Sequence, residues 1–405
     1  MKRSLTRLPA ALAQLKFKPF PKPGTSPARG ALNMEDLRQL ARRRTPTAAF
    51  DYADGGSYAE EALERNYRAY RNTELLPGIL RDVSAVDPSV AVAGGRFSLP
   101  VGIAPTGLTR LMHAAGERAG AAAAARHNIP FTLSTMGTVS IEETAAAAPQ
   151  GTRWFQLYLG QDRAVSVDMM SRAREAGYSA LLLTVDTAVT STRVRDQRNG
   201  MTLPPTLGAR TMLDALRRPG WCLDFLTTEP LGFANFPHNT GNISARFDTM
   251  FDASLNYADL AWVREAWPGT LIVKGVQGPE DAVACFGHGV DGVVVSNHGG
   301  RQLDRAPVPV LQLPAIRAAV GPDRLLIADS GIMSGGDVVA TLAAGANFTL
   351  IGRAYLYGLM AGGQAGVERT LEILEREIRQ TMALLGVRTL AELGPQHVRM
   401  GVGEG

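Results

Sequence analysis

At 405 residues, the chain is long enough for one large domain or two ordinary ones, and its 45% hydrophobic and 20% charged residues describe a soluble globular protein with a substantial core. A net charge of +4 is too small to mark a nucleic-acid binder, and nothing in the body of the chain resembles a groove-reading motif. Two cysteines, Cys222 and Cys285, exclude a disulfide framework, no Cys/His spacing suggests zinc, and a reducing, cytoplasmic setting is expected.

The first acidic residue is Glu35, whereas Lys2, Arg3, Arg7, Lys16, Lys18, Lys22 and Arg29 precede it. Residues 1–34 therefore read as a basic arm, expected to be solvated and poorly ordered, with anionic lipid or nucleic acid as the alternative partner. The arm lacks the apolar core and cleavage site of a secretory signal, and no stretch is long enough to span a bilayer. A helical pattern follows at roughly 35–45.

From residue 100 onward, short apolar runs alternate with Ala-rich amphipathic segments. The runs are PVGIAP (100–105), IPFTLS (129–134), RWFQLY (153–158), ALLLTVD (180–186), LIVKGV (271–276), GVVVS (292–296), LLIADS (325–330) and FTLIGR (348–353). Continuous apolar strands alternating with helices imply a parallel sheet covered on its faces, and eight units predict a closed (β/α)8 TIM barrel. The same rhythm fits an open doubly wound sheet, but neither GxGxxG after the first strand nor GxxxxGK[ST] is present to support one. A single domain over 35–395 is expected, with a short tail at 396–405.

The rhythm breaks between Asp186 and Leu271, which predicts a lid or docking insertion at about 190–258, on the face where barrel enzymes keep their sites. Within it, MLDALRRPGWCLDFL (212–226) mixes apolar and aromatic residues with Arg217 and Arg218, and reads either as an interfacial segment or as a helix packed on the barrel.

Polar residues gather at the C-terminal ends of the predicted strands: Pro105-Thr106-Gly107, Ser134, Gln156 and Tyr158, Thr184 and Asp186, Lys274, Ser296 to Arg301, and Asp329. On a barrel these ends converge on one mouth. His298, which follows a buried-type strand and precedes two glycines, suits proton abstraction near neutral pH. Lys274 ends an apolar strand and is expected to face an anion or an electron-rich ring. Gly331, Gly352 and Arg353 lie where barrels commonly bind phosphate.

These motifs resemble those of the FMN-dependent 2-hydroxy acid oxidase and dehydrogenase family, which includes glycolate oxidase, mandelate dehydrogenase and lactate oxidase. SNHGGRQLD (296–304) is the most specific; FDYADGG (50–56), APTG (104–107), WFQLY (154–158), TVDT (184–187) and VKG (273–275) strengthen it. The look of TLST (132–135), NGM (199–201), GNIS (241–244) and GRAYLYGLMAGGQAGV (352–367) is nearest to the quinone-linked bacterial L-lactate dehydrogenases. The resemblance implies oxidation of an L-2-hydroxy acid, L-lactate foremost, with FMN as cofactor and a quinone or other carrier as electron acceptor. It implies His298 as base, oriented by Asp186. Arg193 and Arg301 would bind the substrate carboxylate, with Tyr52 and Tyr158 as hydrogen-bonding partners. Pro105, Thr106, Gly107, Ser134, Gln156, Thr184, Lys274, Ser296, Asp329 and Gly331 would surround the flavin, while Gly352 and Arg353 would hold its phosphate. Peripheral membrane contact, at the inner face of the cell membrane, and a homotetramer follow by analogy.

Three positions depart from the commonest family pattern. Met333 stands where an Arg usually helps to bind phosphate, Met136 where glycolate oxidase has Trp, and Gly107 where oxidases commonly have Ala. Gly107 favours a dehydrogenase over the oxygen-using alternatives, an oxidase or a monooxygenase. Met333 prompts the further alternative of a degenerate flavin-binding protein.

Overall fold

The computed structural model describes residues 26–201, 208–236 and 251–401. Eight parallel strands close into a barrel in chain order. They are β1 (Val101–Ile103), β2 (Phe131–Ser134), β3 (Arg153–Tyr158), β4 (Ala180–Thr184), β5 (Thr270–Val276), β6 (Gly292–Val295), β7 (Leu325–Ala328) and β8 (Phe348–Ile351). β8 pairs back onto β1, with Thr349, Leu350 and Ile351 opposite Val101, Gly102 and Ile103. Each of the eight apolar runs in the sequence forms one strand of this TIM barrel. Ser134, Gln156, Tyr158, Thr184 and Lys274 are still paired in the ladder at the C-terminal ends of their strands, and residues 105–107, Asp186, residues 296–301 and Asp329 follow in the loops at the same end.

Successive side chains of a strand point to opposite faces, and the two faces belong to separate cores. Phe155, Leu157, Leu181, Leu183, Val273, Val293 and Val295 point outward into the layer shared with the helices. Trp154, Ala180, Leu182, Ile272, Val294, Ile327, Phe348 and Leu350 fill the barrel interior. Two residues beyond five of these inward positions stand Gln156, Thr184, Lys274, Ser296 and Asp329. The strand period thus delivers an apolar layer below and a polar layer above. Phe97, from an antiparallel hairpin of Val90–Val92 and Gly95–Phe97, plugs the lower end with its ring centroid 6.2 Å from Trp154 and 5.7 Å from Phe348.

Among the described residues, three α-helices, α1 (Met34–Arg44), α2 (Thr47–Asp54) and α3 (Glu61–Arg71), precede the barrel. The Asn33 side chain caps α1 by accepting from Asp36 N–H at 2.9 Å. Residues 26–34, which the sequence places in the solvated arm, are instead partly packed. Ala28 and Ala31 are buried, and Arg369 and Arg376 donate to the carbonyls of Ala31 and Leu32. Arg29 lies 3.9 Å from Glu368. The remaining basic residues of the arm, Lys2 to Lys22, and the GNIS motif lie outside the described residues.

In the insertion, residues 212–226 form two helices rather than one, α4 (Ala209–Leu216) and α5 (Pro219–Thr227). Pro219 lacks the N–H that would continue α4 and opens α5 at its first turn instead. One side is anchored: Trp221 Nε1–H donates to Leu111 O at 2.8 Å, and Asp214 accepts from Thr47 N–H at 2.7 Å. The other side leaves Met212, Leu213, Leu216, Leu223 and Leu226 exposed. The last long helix, α6 (Arg353–Leu384), is kinked at Gly362–Gly363 and packs along α1.

Candidate active site at the barrel mouth

A cleft with about 1190 Å³ of empty space, open to solvent, occupies the C-terminal end of the barrel. Tyr52, Pro105, Thr106, Gly107, Ser134, Met136, Tyr158, Arg193, Lys274, His298, Arg301, Asp329, Gly331, Gly352 and Arg353 all line it. Asp186, Gln156, Thr184 and Ser296 stand behind these, in contact with or beside them.

His298 Nδ1 lies 3.0 and 3.2 Å from the two oxygens of Asp186. Asp186 is buried, which pushes its carboxyl pKa upward, but the His298 ring and Lys274 more than offset this and hold it below the usual range. Gly275 makes this approach feasible. Its φ is +113°, it sits at a bulge in β5, and a Cβ there would lie 2.7 Å from that of Asp186.

Lys274 is buried and donates to Ser296 Oγ at 3.0 Å, with Asp329 Oδ2 at 3.1 Å. Burial lowers the affinity of its amine for a proton, but Asp329 and Asp186 raise its pKa above the ordinary value, so the cation persists. In the same cleft, the guanidiniums of Arg301 and Arg193 stand 5.0 and 5.1 Å from the centroid of the Tyr52 ring. Arg301 donates to the Tyr52 carbonyl at 2.6 Å; among the described residues no carboxylate forms an ion pair with it. Burial and the nearby Arg193 push its pKa down to about 10. Two guanidiniums held together, one without a counter-ion among the described residues, are chemically able to bind a small carboxylate. Burial and Asp186 raise the Tyr158 phenol, which therefore stays protonated and able to donate.

Arg353, at the first turn of α6, has a second task that the sequence does not reveal. Its Nε, NH1 and NH2 groups donate to the carbonyls of Ala53 (3.0 Å), Gly299 (2.7 Å) and Gly55 (2.6 Å). The guanidinium clamps the end of α2 to the loop carrying His298, and two of its five N–H groups remain for a ligand. Sequence reasoning also passed over Ser330, Thr190, Ser191 and Phe251, which line the cleft. They lie in loops whose composition is unremarkable for loops, and only the closed barrel brings them to the mouth.

The donor set fits FMN. Among the described residues, Gln156 Nε2 and Thr184 Oγ1 are buried beside the cleft without a hydrogen-bond partner, an arrangement that is costly unless a polar ligand engages them. Lys274 offers a cation, and the N-terminus of α6 with Gly352 and Arg353 offers donors for a phosphate. Met333 lines the cleft without contributing charge.

The FMN-dependent dehydrogenase family model matches residues 41–400. A protein of Mycobacterium tuberculosis named putative L-lactate dehydrogenase is 54% identical over 368 residues, covering 91% of this chain and 89% of its own. An L-lactate dehydrogenase of Caulobacter vibrioides is 44% identical over 371 residues, covering 88% and 95%. Among solved structures, the monotopic membrane protein (S)-mandelate dehydrogenase superposes with a TM-score of 0.88 at 38% identity, over 92% of this chain and all of that one. Mandelate oxidase with (S)-4-hydroxymandelic acid gives 0.80 at 34% identity, over 92% and 100%. With polar donors gathered at one barrel mouth and the family pattern running over residues 41–400, the protein belongs to the FMN-dependent dehydrogenase family, and FMN is its cofactor.

Proposed function

We propose that the protein oxidises L-2-hydroxy acids, with L-lactate as the principal substrate, to 2-oxo acids, and passes the electrons to a quinone or another carrier. The observation that carries this reading is the convergence of the Asp186–His298 pair and the Arg193–Tyr52–Arg301 stack on one cleft that also holds Lys274.

The two guanidiniums bind the substrate carboxylate, and Tyr52 and Tyr158 hydrogen-bond the carboxylate and hydroxyl. Asp186 engages His298 Nδ1, which leaves Nε2 to take a proton from the substrate and stabilises the imidazolium that results. When bound, FMN supplies the two-electron sink that the side chains lack. Lys274 holds positive charge where negative charge develops, and Ser134, Gln156 and Thr184 orient the ring. The substrate names of the relatives support L-lactate, and Gly107 supports a dehydrogenase.

The exposed leucines of α4 and α5, with Arg217 and Arg218 between them, support peripheral contact with an anionic membrane surface. No helix among the described residues is long and apolar enough to cross a membrane. The same reading takes the protein as a homotetramer by analogy.

An anaerobic spectrum tests the chemistry. The purified protein is yellow, and its flavin absorbance bleaches with L-lactate; stoichiometric flavin that survives L-lactate, L-mandelate and glycolate removes the substrate reading. Co-sedimentation with anionic vesicles, reversed by salt, tests the membrane contact.

A further inference from the structure

The backbone under the His298 imidazole is unusual. His298, Gly299 and Gly300 are three consecutive residues in the left-handed region, with φ of +56°, +66° and +73°. The two glycines tolerate this conformation and the histidine does not favour it. Each amide of the turn is accepted by a side-chain oxygen at 3.0 Å: His298 N–H by Ser296 Oγ, Gly299 N–H by Ser330 Oγ, and Gly300 N–H by Asn297 Oδ1.

Two of these three acceptors are also tied to the charge pair below. Ser296 Oγ accepts from Lys274 Nζ at 3.0 Å. Ser330 Oγ–H donates to Asp329 Oδ1 at 2.8 Å, while the other oxygen of Asp329 is 3.1 Å from Lys274. The bonds close a ring through Lys274, Ser296, the left-handed turn, Ser330 and Asp329. Ser330 is itself buried and left-handed, with φ +80°. A non-glycine residue keeps such a conformation only where its surroundings over-determine it, and here the constraint is the hydroxyl, bonded on both sides.

We propose that Ser330 is a positioning residue whose hydroxyl locks the turn carrying His298 onto the Lys274–Asp329 pair, so that the proton acceptor and the cation beside the flavin are held as one unit. This rests on the roles given above to His298 and Lys274 and adds a coupling between them. Without the Ser330 donor, Asp329 turns its charge more fully on Lys274, and less of the ammonium field reaches the flavin. Without the Ser330 acceptor, the Gly299 amide loses its partner and the turn loosens.

Ser330→Ala and Ser330→Gly separate the hydroxyl from the backbone, since glycine relieves the left-handed strain and alanine keeps it. Both FMN-loaded variants are compared with the wild type in turnover and in sulfite affinity, which rises with positive charge held beside the flavin. Turnover falls about tenfold in both variants. The sulfite dissociation constant rises roughly fivefold in both, with FMN content unchanged. Wild-type behaviour of Ser330→Gly would overturn the proposal, because strain rather than the hydroxyl would then be responsible. Reduced turnover at unchanged sulfite affinity would overturn the coupling to Lys274 and Asp329. A wild-type flavin that no hydroxy acid bleaches, with sulfite affinity still shifted in both variants, removes the substrate reading and leaves the Ser330 link standing.

Discussion

The lower and upper halves of the barrel are built from the same eight strands, two residues apart, and obey opposite rules. Below, Trp154, Leu182, Ile272, Val294 and Ile327 form an apolar layer, closed by Phe97 and Phe348. Above, Gln156, Thr184, Lys274, Ser296 and Asp329 replace them at the next inward positions, and the backbone that follows includes left-handed residues at His298 and Ser330. The lower half supplies rigidity at little risk, because apolar packing has few bonding requirements, although among the described residues the Trp154 indole N–H and the Thr132 hydroxyl are buried without a partner. The upper half concentrates charge, strain and unpartnered donors, and it stands on a buried, apolar layer.

Substitutions on either side of this boundary test the contrast. The largest effect is expected from His298→Ala, which should leave FMN bound and reduce the rate of flavin reduction by roughly 10³–10⁴-fold in stopped-flow measurements, with the unfolding midpoint nearly unchanged. Retained reduction would take His298 out of its role. Trp154→Ala should do the reverse, costing about 3–5 kcal/mol in denaturant unfolding while the folded fraction keeps its turnover. A large catalytic loss at full folding would mean that the two layers are not separable. Lys274→Met should slow reduction roughly 10²-fold and weaken FMN binding, read by titrating apoprotein with FMN; unchanged values would remove the cation from the flavin's surroundings.

The smallest effect concerns Asp337, at the edge of the upper half beside Met333, where it accepts from the Met333 and Ser334 amides at 2.8 and 2.9 Å. Burial pushes its carboxyl up to about 6 from an ordinary 3.8, and Glu377 adds to the shift. The folded state thus binds the proton more tightly than the unfolded chain. Its contribution to stability is complete below about pH 4 and is lost as the pH rises through about 6. Asp337→Asn should therefore stabilise the protein by about 1–2 kcal/mol at pH 7 and by little at pH 4. Equal effects at both values would contradict the burial argument.

The barrel was legible because its strands are short, continuous apolar runs with polar residues immediately after them, and the cleft residues named from the sequence do line or back one mouth. The long gap after Asp186 marked the insertion, although the division into α4 and α5 turned on Pro219 alone. Three things were not legible. The hairpin ending in Phe97 is short and mixed in composition. The left-handed turn at His298 depends on bonds from Ser296, Asn297 and Ser330, and Ser330 lies 32 residues beyond His298 in the chain. The packing of residues 26–34 depends on Arg369 and Arg376, which a local reading of a basic, Pro-containing stretch cannot anticipate.

The clamp made by Arg353 has a consequence for how the molecule comes into being. It joins the carbonyls of Ala53 and Gly55, near the start, to a side chain about 300 residues later, and it seals the wall of the cleft. A nascent chain leaving the ribosome must hold its first three helices without their final partner until the eighth strand has emerged. The wall of the pocket is therefore completed only once β8 and the first turn of α6 have been made.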